Sequence, residues 1–372
     1  MITLTVKLVI MTSRRNFIKQ VAAAGMALSL PETIFGGITV ERRAKSDENF
    51  IWANLLHLSY NMWEDNTPLG FEAPEYTGDD CREAYLWAHK YHPHLTFDKA
   101  IWDQLLVKMS DAGMNMLIID LGDGVQYESH PEIAVKGAWT TGELKRELKK
   151  IRKMGIEPIP KLNFSTGHKA WLGPYQRMIS SDTYYTVCKN LIEEVIHLFD
   201  SPRFFHLGMD EETAGHQTTH ENVVVRQGNL WWHDFYYMVD VVEKQNVRSW
   251  IWSDFAWHHP EDFFAKMPKS VLQSNWYYGS QFDNFDNPIN ETYVKLYDQL
   301  EAHGYDQVPA GSNHSNNVNF GKTVEYCTDV IAPDRLKGFL QTIWRPTLPA
   351  CFKRHCEAID QVGSVIQSLK NV

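Results

Sequence analysis

One ten-residue stretch gathers groups suited to acid–base chemistry: Arg203-Phe204-Phe205-His206-Leu207-Gly208-Met209-Asp210-Glu211-Glu212. It reads as a β-strand, in which successive side chains point to opposite faces. Phe205, Leu207 and Met209 then share an apolar face, and His206, Gly208 and Asp210 share the other. Glu211 falls where the strand ends and the alternation lapses, so both acids can face the same side. Carboxyl groups at the C-terminal end of a parallel barrel strand are where that fold keeps its catalytic groups. The plainer reading is that Glu211 and Glu212 open a solvated loop. The neighbouring His206 and Gly208 favour a site, with Asp210 and Glu211 as its catalytic pair.

A second cluster invites a metal reading. His216 and His220, four residues apart, would share one face of a helix. Gly215 and Thr218-Thr219 make a poor helix, however, and no His-x-His follows the first strand. No metal and no cofactor are expected.

The elements that must position these residues alternate regularly. Strand-like apolar runs cover 52–60, 114–120, 156–163, 204–209, 247–252, 271–276, 307–311 and 338–343. Helical stretches cover 98–112, 141–154, 182–199, 229–245, 291–303, 322–330 and 350–369. Thr141-Gly142-Glu143 and Ser181-Asp182 supply helix starts, and Gly113, Gly155 and Gly304 stand where helices stop. Eight strands with crossover helices predict an α/β chain folded as a single-domain (β/α)8 TIM barrel. An open doubly wound sheet would announce a Gly-rich phosphate loop after its first strand, and there is none. The long segment 61–96, with Trp63, Trp87, His89, His92 and His94, is expected to wall or cover the barrel mouth.

Composition narrows the partners. A formal charge of −10, spread along 372 residues, argues against nucleic acid or an anionic membrane surface. Aromatic residues at 13%, with 13 Trp and 16 Tyr, are expected mostly to fill a large core, but flat apolar faces with a polar edge also suit sugar rings, which favours a carbohydrate substrate. Ser13-Arg14-Arg15-Asn16-Phe17 precedes a short apolar run from Val21 to Leu30, like a twin-arginine export signal. That run is too short to span a bilayer. Residues 1–36 are therefore read as an export signal and 37–372 as the barrel, periplasmic or secreted and clear of the membrane once the signal is removed. The five cysteines are scattered and odd in number, and free buried thiols are expected.

His206-Leu207-Gly208-Met209-Asp210-Glu211 resembles the His-x-Gly-Gly-Asp-Glu motif of the β-N-acetylhexosaminidases, glycoside hydrolase family 20. Other stretches fall in matching order over roughly 50–345. Met114 to Asp120 resembles the second strand, and Gly155 to Asn163 the third. Thr166-Gly167-His168 stands where the family has Pro-Gly-His. Trp250-Ile251-Trp252-Ser253-Asp254 resembles the fifth strand, Gln273-Ser274-Asn275-Trp276 the sixth and Ile343-Trp344 the eighth. The resemblance implies hydrolysis of N-acetylhexosamine-containing glycans by a substrate-assisted, retaining route. Glu211 would be the general acid/base, and Asp210 would orient the 2-acetamido group that attacks the anomeric carbon. His168, His206, Trp252, Asp254, Trp276 and Trp344 would bind substrate, with Tyr277 or Tyr278 donating to the acetamido oxygen. The chain departs from the pattern at three places. No arginine occurs in Asn54-Leu55-Leu56-His57-Leu58, Asn163 stands for the third-strand acid, and Met209 replaces the motif's second glycine. A sugar-binding barrel without turnover and a metal-dependent hydrolase are the competing readings.

Overall fold

The computed structural model describes residues 50–64 and 75–370. The twin-arginine segment lies outside the described residues. Eight parallel strands make the frame: β1 (Ile51–His57), β2 (Met116–Asp120), β3 (Glu157–Lys161), β4 (Phe204–His206), β5 (Arg248–Trp252), β6 (Leu272–Ser274), β7 (Ala310–Ser312) and β8 (Gly338–Thr342). Their order is β6-β5-β4-β3-β2-β1-β8-β7. The two ends of that row meet: Val308 N–H donates to Gln273 O at 2.9 Å and Ala310 N–H to Asn275 O at 2.9 Å. The chain is thus a (β/α)8 barrel, and every expected strand run overlaps an observed strand.

Helices alternate with the strands because apolar residues recur at helical spacing and the ends are capped. These are α1 (Cys81–Ala88), α2 (Lys99–Asp111), α3 (Thr141–Lys153), α4 (Asp182–Leu198), α5 (Asn229–Glu243), α6 (Phe255–His258), α7 (Pro260–Lys266), α8 (Pro288–Ala302), α9 (Asn319–Val330) and α10 (Phe352–Lys370). Thr140 and Glu143 form a reciprocal capping box on α3, and Ser181 caps α4. Gly113, Gly155 and Gly304 follow α2, α3 and α8 with φ of 83°, 77° and 73°. Helices α1, α6 and α7 are not evident from periodicity, because they span only 8, 4 and 7 residues. No helix among the described residues is long and apolar enough to cross a membrane.

Two apolar layers hold the barrel. Inside, Ala53, Leu55, Met116, Ile118, Ile159, Trp250, Trp252 and Leu340 pack together. Outside, Phe205, Leu207 and Met209 of the fourth-strand segment join the helices' apolar faces in one continuous core. The alternation expected along 204–209 therefore holds, although the regular strand stops at His206. It stops because Gly208 takes a φ of 73° and Met209 one of 72°. A Cβ on residue 208 would lie 2.0 Å from Asn163 Oδ1, so only glycine lets the chain turn there.

The cysteines correct the expectation of free thiols throughout. Cys81, at the start of α1, is disulfide-bonded to Cys351, just before α10, across 270 residues. Their spacing gives no hint of this, since the pairing depends on how the long first loop folds back. Cys188, Cys327 and Cys356 are free.

Candidate functional site

At the C-terminal end of the strands lies a cavity of about 550 Å³, within the usual range for small-molecule sites. Asp210 and Glu211 reach it from the turn after β4, and Glu211 itself has a φ of 57°. Backbone held in the left-handed region is strained for a non-glycine residue, and such strain clusters at functional sites. The next loop packs directly beneath. A Cβ on Gly167 would meet the Glu211 carbonyl oxygen at 2.7 Å, so glycine is needed for this close approach.

That loop delivers His168, which is buried and touches both acids. Its Nδ1 lies 3.5 Å from Asp210 Oδ1 and its Nε2 3.3 Å from Glu211 Oε2. Burial alone would lower the imidazole, but Asp210 and Glu211 together push it up to about 10. Asp210 responds in kind. Burial would raise its carboxyl, yet His168, Lys161 and the Asn163 amide hold it far below the usual carboxylate range. Asn163 Nδ2 donates to Asp210 Oδ1 at 2.8 Å, and its own Oδ1 accepts the Ser165 and Met209 N–H groups. Asn163 therefore fixes Asp210 in place.

The other acids are accounted for separately. Glu212 turns away from Glu211 and is gripped by the buried Arg226, whose Nη1 also reaches Asp234 at 3.2 Å. Asp254 is 5% exposed. Its Oδ2 accepts the Glu211 N–H at 2.8 Å and its Oδ1 the Trp276 indole N–H at 3.3 Å. Burial, then the charge on Asp210, pushes the Asp254 carboxyl well above the usual range. It positions Glu211 and Trp276, and it lines the space adjoining the cavity beside Glu211 rather than the cavity itself.

Aromatic rings form the walls. Trp276 stacks on Tyr278 at 5.1 Å, and the Trp344 indole N–H donates to the Tyr278 hydroxyl at 2.9 Å. His168, Trp276, Tyr277, Tyr278 and Trp344 thus line the cavity as the sequence suggests. His206 and Trp252 do not line it. Their side chains point into the barrel interior, 0% and 1% exposed, with rings 4.5 Å apart. They form the layer beneath, Trp252 meeting Trp344 at 6.1 Å.

Sequence reasoning missed several lining residues. His314 and Ser315 follow β7, and Asn290 and Tyr293 belong to α8, none with a local signal. Trp63, Tyr85 and His89 come from the long first loop, whose aromatic content was the available clue. Burial pushes His89 and His314 each down to about 4, so both imidazoles are neutral donors and acceptors near pH 7. Also missed is a buried charge cluster under the floor. Asp120 Oδ2 contacts Lys161 Nζ at 2.5 Å and His57 Nδ1 at 3.3 Å.

For a cation, the donor set among the described residues is His168, Asp210 and Glu211, whose ligand atoms lie within 4.8 Å of one another. His216 and His220 do not form a pair there. Gly215–Gln217 is a single 3-10 turn, so His220 folds back to Gly167 O at 3.3 Å while His216 Nε2 stands 3.6 Å from Glu211 Oε1. A larger, open groove of about 800 Å³ lies between α2 and α10, on the outside of the barrel and away from the strand ends.

No protein-family model and no curated protein matches the chain. Solved structures do match its fold. A Streptomyces plicatus β-hexosaminidase mutant in complex with GlcNAc superposes with a TM-score of 0.55 at 12% identity, over 84% of this chain and 64% of that one. A β-N-acetylhexosaminidase from Bacteroides fragilis gives 0.52 at 14% identity, over 84% and 65%. A GH20 exo-β-N-acetylglucosaminidase from Vibrio harveyi in complex with N-acetylglucosamine gives 0.52 at 14%, over 87% and 58%. The chain therefore spans about three fifths of the length of these proteins. At such identity the likeness is one of fold, a TIM barrel shared with GH20 hexosaminidases.

Proposed function

We propose that this chain is a divergent glycoside hydrolase of family 20 type, exported and acting on N-acetylhexosamine-containing glycans. One observation carries the reading: Asp210 and Glu211 stand side by side at the mouth of β4, bridged by His168, in a cavity walled by Trp276, Tyr278 and Trp344. The fold shared with hexosaminidases supports it. The disulfide supports export, because such bonds persist in oxidising compartments.

In this reading the sugar ring stacks against the tryptophans. Glu211 gives its proton to the glycosidic oxygen as the bond from C1 to that oxygen breaks. The substrate's 2-acetamido oxygen attacks C1 from the opposite face, and positive charge grows on the acetamido group. Asp210, held ionised by its neighbours, stabilises that charge and aligns the amide. The Tyr278 hydroxyl, which accepts the Trp344 N–H, keeps its own proton for the acetamido oxygen. Water then attacks C1 as the bond from C1 to the acetamido oxygen breaks and the electron pair returns to the acetamido group, and the water's proton passes to the Glu211 carboxylate, which restores the enzyme.

The test is a panel of β-linked N-acetylhexosamine oligosaccharides incubated with the purified protein, followed by assay of released reducing sugar. Release that is lost in Glu211→Gln supports the reading. Tight sugar binding with no release in the parent would instead favour a binding barrel.

A further inference from the structure

We propose that His168, Asp210 and Glu211 also form a metal site, which binds a zinc ion in place of substrate and so switches the protein off. Each of the three can offer one ligand atom within 4.8 Å of the other two. Ligands held at about 2.0–2.2 Å around a tetrahedral ion lie about 3.3–3.6 Å from one another. Each ring nitrogen of His168 faces a carboxylate at that separation, Nε2 at 3.3 Å from Glu211 Oε2 and Nδ1 at 3.5 Å from Asp210 Oδ1. The described residues give the buried Nδ1 no hydrogen bond. Bringing all three groups onto one ion takes a small movement, and Glu211, 25% exposed at the side chain, has the room for it.

The surroundings are those of a metal ligand set, whose members are held by an outer ring of hydrogen bonds. Asn163 Nδ2 donates to Asp210 Oδ1 at 2.8 Å, and the Glu211 N–H is fixed by Asp254 Oδ2 at 2.8 Å. A further imidazole stands at the other Glu211 oxygen. His216 Nε2 lies 3.6 Å from Oε1, aimed there by the Thr213 hydroxyl 2.9 Å from its Nδ1. One imidazole with two carboxylates suits zinc, whereas calcium asks for six to eight oxygens, more than this cluster can supply. The tryptophan walls offer no ligand, so the ion's open position faces the cavity where the sugar would lie. Binding sends the imidazole proton to solvent and ties up both carboxylates. Glu211 can then give no proton, and Asp210 can steer no acetamido group. The switching-off rests on the hydrolase reading above; the metal site does not.

The experiment titrates zinc chloride alone into the full chain by calorimetry. One ion per chain is expected. His168→Gln, Asp210→Asn and Glu211→Gln should each weaken it by more than the roughly 10–100-fold that losing an outer-ring partner costs. His197→Gln removes an exposed imidazole in the last turn of α4 and should leave the affinity unchanged. Melting curves show that each variant is folded, and zinc should raise the melting temperature of the parent more than that of Glu211→Gln. Glycan cleavage should fall along the zinc binding curve and return when a chelator is added. Absence of saturable one-to-one binding, or equal affinity in the parent and all three site variants, overturns the metal site. Cleavage that rises with zinc overturns the switch and the acid–base reading together. A parent that cleaves no glycan removes the hydrolase reading and the switch with it, while the calorimetry still decides the metal site.

Discussion

Adjacent in sequence, Asp210 and Glu211 are held by different partners, and their loss should show it. Glu211 is 25% exposed at the side chain, with its backbone N–H tied to Asp254. As a proton donor it matters in proportion to how much the leaving group needs a proton. Glu211→Gln should slow a natural glycan by about 10²–10⁴ and a nitrophenyl glycoside far less. Asp210 acts on the acetamido group whatever departs, so Asp210→Asn should slow both substrates by similar factors. Equal losses on both substrates in Glu211→Gln would assign the acid elsewhere. His168 carries a pH signature. Its imidazole, raised to about 10 when folded against roughly 6.5 when unfolded, contributes stability that is complete below about pH 6.5 and fades as pH climbs through about 10. Asp210 has the opposite sign, losing its contribution only in strong acid. The melting temperature of the parent should therefore fall toward that of His168→Gln between pH 7 and 10, and parallel melting curves would refute the pairing. At this scale the sequence shows the two acids and His168, because motif order carries them. It does not show that Asn163 clamps Asp210 or that Arg226 withdraws Glu212, because those contacts join residues 47 and 14 positions apart.

Between residue and barrel, the turn after β4 and helix α1 decide whether the site exists. Gly208→Ala puts a Cβ against Asn163 at a φ of 73°, and the clash must be relieved by moving the residue that holds Asp210. It should cost about 1–3 kcal/mol in stability, with a loss of activity at temperatures where the protein is still folded. Unfolding curves and rates on the same preparation check both. Helix α1 brings Tyr85 to the cavity and leads into His89. It has only 8 residues, too few to be stable alone, and the bond from Cys81 to Cys351 anchors it. The double variant Cys81→Ser/Cys351→Ser should weaken substrate binding through KM more than it lowers kcat. A change in kcat alone would mean that α1 does not wall the substrate. Elements with a clear period, α2 to α5 and the strands, were legible in the sequence to within a few residues. Helix α1 was not, because its role is set by the disulfide and by aromatic packing of Trp63, Tyr85 and His89 rather than by an amphipathic face.

For the whole molecule, the barrel's order could be read because each βα unit repeats the same local logic, and the long first loop's aromatics marked it as a wall of the mouth, whereas the bond that closes this loop onto the barrel could not be read. The disulfide links that closure to where the protein resides. Cys81 and Cys351 are separated by 270 residues, and the folded barrel brings their Cα atoms to 4.6 Å. A reducing cytosol keeps such a pair as thiols, and an oxidising compartment closes it. If Arg14 and Arg15 direct export, replacing both with Lys should hold the precursor in the cytoplasm. The retained protein should then expose the state of its cysteines. Unfolding it in the presence of a thiol-alkylating reagent should label all five cysteines, whereas the exported parent should label three and keep Cys81 and Cys351 protected until a reductant is added. The two readouts fail independently. Unchanged export in the Lys variant would rule out the twin-arginine route while leaving the disulfide intact. An exported parent that labels at all five positions would mean that α1 is held to α10 by packing alone.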